Sequence, residues 1–153
     1  QKLIQTSRLW KPSFFVLHSR QVPMERTCHT AVVYKNRMYV LGGMEKSNTI
    51  HGIKKELAIL NFGTMTWTTI TDGVPGLTEH SCIVWRHRMI IFGGYHENNS
   101  ACCNHLFEAS NLDTPDVHFQ QIKQTGALGD EPRPRSAHVA LLHGNKMYIS
   151  GGW

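Results

Sequence analysis

Three histidines, His29, His80 and His138, recur at separations of 51 and 58 residues. Imidazole is a common metal ligand and titrates near neutrality, so a regular set of three raises the question of a metal site. The spacing argues against convergence: residues that recur once per structural unit are carried to equivalent, separated places. Each histidine is instead expected to hydrogen-bond within its own unit. Cys102-Cys103-x-His105 looks like half of a zinc site, but no second ligand pair stands at matching spacing. With Cys28 and Cys82 the chain holds four cysteines, too few for a disulfide framework. Free thiols are expected, Cys82 as a small core residue. No Ser-His-Asp set or carboxylate pair can be singled out, and Gly-Gly without Gly-Lys-Ser/Thr is not a phosphate loop. Asn98-Asn99-Ser100 is a glycosylation sequon, a triplet that often arises by chance. No metal, no cofactor and no catalysis are expected.

The elements that carry these residues form a repeat. The glycine pairs Gly42-Gly43, Gly93-Gly94 and Gly151-Gly152 keep the same separations as the histidines, 51 and 58. Two independent markers that share one spacing define a unit. An aromatic precedes each unit: Trp10 by 19 residues before His29, Phe119 by 19 before His138, and Trp67 by 13 before His80.

Each unit reads as β-structure. Strands are expected at His29–Tyr34 and Met38–Leu41 around a Lys35-Asn36 turn, and at Ser81–Trp85 and Met89–Phe92 around Arg86-His87. The runs Tyr39-Val40-Leu41, Ile90-Ile91-Phe92 and Tyr148-Ile149-Ser150 suit a pleated, half-buried surface. Further strands are expected near Leu57 to Asn61 and Thr66 to Ile70, which makes four strands per unit. Ile53, Leu57 and Leu60 also share one helical face, so periodicity alone permits a short helix over 51–60. The repeat register favours strand there.

Strand, turn, strand ending in Gly-Gly, variable loop, strand, turn and an aromatic strand resemble the kelch repeat, whose period is about 50 residues. The Arg-x-x-His starts at Arg26 and Arg135, preceded by Pro23, Pro132 and Pro134, look most like the longer-repeat kelch group. That group includes host cell factor and the kelch-domain adaptors of ubiquitin ligases. The second unit departs from it, with Leu77 in the arginine's place. The resemblance implies an all-β chain of kelch-type propeller blades, each a four-stranded antiparallel sheet. It spans 1–153: the end of one blade and a connection over 1–25, blades over 26–76 and 77–134, and the start of another over 135–153. About three blades cannot close a ring that needs roughly four to eight. Remaining blades or a second chain are expected to close it.

By the family's pattern, the loops after Gly-Gly and before Arg-x-x-His build one recognition face. The residues expected to contact a partner there are Arg26, Met44, Tyr95, His96, Arg135 and Trp153. An arginine fork on a carboxylate would suit an acidic protein or peptide, although the same arginines could brace neighbouring blades. The expected role is protein–protein interaction, with substrate adaptor as its main form and structural subunit of a large assembly as the alternative. A copper-radical oxidase, resembling galactose oxidase, is the least favoured reading: nothing among Tyr34, Tyr39, Tyr95 and Tyr148 selects a copper set.

Composition agrees. The 153 residues are 41% hydrophobic and 18% charged, an ordinary globular balance. No apolar stretch approaches the roughly 20 residues of a membrane span. The net charge of +5 comes from scattered basic residues rather than a patch, so nucleic acid is not the expected partner. Reduced cysteines point to an intracellular setting, cytoplasmic or nuclear.

Overall fold

The computed structural model describes residues 22–45, 52–99, 101–123 and 131–153. Residues 1–21, with Trp10, and Ser100 of the sequon lie outside these residues. Twelve strands and no α-helix are present among them. The first sheet contains β1 (Thr30–Tyr34), β2 (Arg37–Leu41), β3 (Leu57–Asn61) and β4 (Thr66–Ile70), antiparallel and in that order. The second contains β6 (Ser81–Trp85), β7 (Arg88–Phe92), β9 (Leu106–Ser110) and β10 (His118–Ile122), again in sequence order from inner to outer strand. The strands β11 (Val139–His143) and β12 (Lys146–Ser150) form a hairpin equivalent to β1–β2. Leu57–Asn61 is a strand, so the repeat register prevails over the helical periodicity. One element has no sequence counterpart: β5 (Leu77–Thr78) pairs with β8 (Tyr95–His96) in a two-stranded bridge.

Alternation explains how the sheets stack. Because successive side chains of a strand leave opposite faces, Tyr39 and Leu41 of β2 and Leu57 and Ile59 of β3 share one face of the first blade. They meet Met89 and Ile91 of β7 and Phe107 and Ala109 of β9 in one buried cluster. The opposite face of the first blade carries Val40, Ala58, Leu60 and Trp67 as a second cluster. Innermost strands follow each other around an axis, β1 against β6 and β6 against β11. Phe119 packs, partly buried, against the cluster that the two blades share, and Trp67 is 8% exposed. Among the described residues the sheets do not close into a barrel.

Each Gly-Gly lets one blade touch the next. Gly42 and Gly43 have φ of 59° and 86°, a region that favours glycine. A Cβ on Gly42 would lie 2.2 Å from the Leu77 carbonyl oxygen of the following blade.

Candidate interaction face and the seams that position it

The seam between blades repeats residue for residue. Cys28, Glu79 and Ala137, each just before a repeat histidine, adopt φ of 57°, 56° and 53°. This left-handed turn aims their peptides along the ring: Glu79 N–H donates to the Cys28 carbonyl and Ala137 N–H to the Glu79 carbonyl, both at 3.0 Å. Beside this relay, Gly43 N–H donates to Leu77 O and Gly94 N–H to Arg135 O, both at 2.8 Å. At the turn end, Tyr34 Oη lies 2.8 Å from His87 Nδ1, and Trp85 Nε1 donates to Asn145 Oδ1 at 3.2 Å.

The repeat histidines belong to this seam, which corrects the expectation that each bonds within its own unit. His80 Nε2 lies 2.7 Å from Thr30 Oγ1 of the preceding blade, and His138 Nε2 lies 2.8 Å from Ser81 Oγ. The reason is the left-handed residue before each histidine, which turns the following side chain back toward its neighbour. Phe92 also meets the His138 ring edge-on at 5.4 Å between centroids. The Nδ1 atoms of both histidines are buried without a partner. An empty lone pair is cheaper to bury than an unpaired N–H, so the neutral tautomer that donates from Nε2 fits both sites. Burial pushes the His80 pKa down to about 3, with the neighbouring His138 and His29 adding to the effect. Burial, then Arg135, lowers that of His138. Among the described residues, no three His, Cys, Asp or Glu side chains come together to hold a metal.

The seam presents a loop face. Met44, Tyr95 and Trp153 are equivalent positions, each paired through the backbone with the residue before the left-handed turn. Thr27 and Met44 exchange backbone bonds at 2.9 Å, Ser136 and Trp153 at 3.2 and 3.0 Å, and Thr78 pairs with Tyr95. Met44 and Tyr95 are half-buried, and Trp153 is 89% exposed. His96 stacks on Phe107 at 6.2 Å and meets the His105 ring edge-on; burial lowers its pKa.

The two arginines share one geometry. Arg26 donates from Nε to Met24 O and from Nη1 to Gly42 O, both at 3.2 Å, while its Nη2 pairs with Glu56. Arg135 repeats the first two bonds, to Arg133 O at 3.3 Å and to Gly151 O at 3.0 Å. The Arg26 side chain is 4% exposed, so its fork is engaged inside its own blade. Arg135 has no carboxylate partner among the described residues. In the middle blade, Leu77 and His105 occupy the places of Arg26 and Glu56, and Gly93 N–H bonds His105 O just as Gly42 N–H bonds Glu56 O. The sequence missed Glu56 because only the fold brings it within reach of residue 26. Its place one residue before the third strand was the available signal.

The family model described as the KLHDC2/KLHL20/DRC7 Kelch-repeats domain matches residues 4–152. The chain belongs to the kelch-repeat family. Among similar proteins, Kelch domain-containing protein 3 of Bos taurus is 33% identical over 150 residues, which covers 88% of this chain and 36% of that protein. The Leucine-zipper-like transcriptional regulator 1 homolog of Drosophila melanogaster is 33% identical over 142 residues, 86% of this chain and 13% of that protein. Host cell factor 1 of Rattus norvegicus is 30% identical over 149 residues, 86% of this chain and 7% of that protein. The kelch chain thus spans about a third or less of these relatives.

Proposed function

We propose that this kelch array is a protein-interaction module, working in an intracellular setting as a substrate adaptor that reads an acidic protein or peptide. The observation that carries this reading is the loop face itself. The same backbone pairing sets Met44, Tyr95 and Trp153 at three equivalent positions, on a scaffold held by repeated seams. Rigidly presented loops with aromatic and adaptable side chains are what recognition uses. Tyr95, His96 and Trp153 supply apolar area, Met44 supplies a flexible contact, and Arg135 supplies a guanidinium edge for a carboxylate. Arg26, committed to Glu56 and Gly42 O, holds the first loop in shape.

Selection of displayed peptides on the folded chain tests this. Acidic sequences should be enriched, and their binding should weaken on Arg135→Lys and on Trp153→Ala with the melting temperature little changed. Loss of about 1.5–3 kcal/mol is expected for the arginine if the contact is bidentate. Enrichment of no sequence, or binding indifferent to both substitutions, would refute the reading.

A further inference from the structure

Two blades place an arginine at the same position and give it different company. Arg88 opens β7, and its Nη1 lies 3.0 Å from the Glu108 carboxylate of β9. Gln120 of β10 donates to the same carboxylate at 3.5 Å. Strand register carries this arrangement back one blade: Arg37 stands for Arg88, Ile59 for Glu108 and Thr68 for Gln120. The arginine is kept, but an isoleucine replaces its carboxylate. Arg37 is half-buried. Its Nη1 donates to Leu112 O at 3.3 Å, an oxygen it shares with the Tyr39 hydroxyl. It meets no carboxylate among the described residues. Asp113, which lines a neighbouring hollow with Arg37, is paired with Lys35 at 2.8 Å.

Arg37, Ile59 and Thr68 line a cleft of about 390 Å³ together with Ile70, Thr114 and Pro115. It lies between the outer strands of the first blade and the β9–β10 turn of the second, so both walls come from adjoining blades. A half-buried guanidinium over an apolar floor is a place for an anion, because a charge drawn out of water costs free energy until it is paired. We propose that the cleft binds a glutamate side chain from an extended segment of a partner protein. The carboxylate takes, between Arg37 and Thr68, the place that Glu108 takes between Arg88 and Gln120. The molecule itself thus shows which group fits this frame. Thr66, Thr68 and Ile70 alternate onto one face of β4. In an extended segment along that face, a glutamate over Thr68 sets the side chain two residues away over Ile70, where an apolar group fits. The partner's signature is therefore an acidic residue spaced by two from an apolar one. Arg37 sits at the turn end of the strands, opposite the loop face, so this site is separate from the one proposed there.

Nuclear magnetic resonance titration of the intact chain with the capped peptide acetyl-Leu-Ser-Glu-Ser-Leu-amide tests the proposal. The Arg37 Nε–H and Thr68 backbone signals should shift saturably. A peptide with glutamine in place of glutamate should bind roughly tenfold or more weakly, the yield of a hydrogen bond to a charged group. Ile59→Glu combined with Thr68→Gln rebuilds the middle blade's carboxylate inside the first blade and should abolish binding, because the site is then filled from within. Arg37→Gln should abolish binding too, and decides the matter should the double variant lose its β-sheet circular dichroism. Signals that do not move, a glutamine peptide that binds equally, or a folded variant that still binds overturns the proposal. Hexanoate that binds at the same signals as tightly as the peptide overturns the extended segment in favour of a free aliphatic acid.

Discussion

Acid should loosen the blades through His80, and the size of the effect follows from its surroundings. In the unfolded chain the imidazole titrates near 6.5, and in the fold it titrates at about 3. The folded pKa is the lower one, so the fold disfavours the proton. The contribution is fully present above pH 6.5 and drains away as pH falls toward 3. Within that window each pH unit costs about 1.4 kcal/mol, and the whole window removes roughly 5 kcal/mol. The geometry gives the reason independently. A second proton would create an N–H at Nδ1, an atom buried without a partner, and would set a charge near His138 and His29. His138, whose pKa is lowered as well, steepens the slope in the same direction. The assay is urea denaturation at a series of pH values, comparing wild type with His80→Gln, whose amide can still reach Thr30 but does not titrate. Between pH 6.5 and 4.5 wild type should lose about 2.5 kcal/mol more than the variant. Parallel profiles would mean that His80 is solvated or already charged in the fold, and the seam argument would fail.

Two further outcomes follow from the same contacts. Arg26→Lys keeps the charge but loses the fork that holds Glu56 and the Gly42 carbonyl together; the melting temperature should fall, by the equivalent of about 1–3 kcal/mol, and Glu56→Gln should lower it too. Gly42→Ala should cost about 2 kcal/mol or more, measured by denaturant midpoint. Its Cβ would sit 2.2 Å from Leu77 O at a positive φ, so the seam must shift; an unchanged midpoint would show that the blades do not meet there.

The repeat was legible from one chain because two kinds of residue kept a common spacing. Gly-Gly is needed wherever backbone passes close to the next blade, and the histidine is needed once per seam, so both recur at the blade period. Strand identity followed from that register, including Leu57–Asn61, where helical periodicity pointed the other way. β5 and β8 were not legible, since two-residue pairings leave no alternation to read. Nor was the direction of the histidines. Whether His80 reaches its own strand or its neighbour's Thr30 depends on a left-handed turn at Glu79, a residue type that gives little sign of it. Arg26 and Arg135 match in sequence context and both brace a Gly-Gly carbonyl, but that Glu56 reaches Arg26 was legible only in the fold. Repetition along a chain records which positions must be alike; contacts between blades, made by residues 50 and 57 positions apart, arise only when the sheets stack.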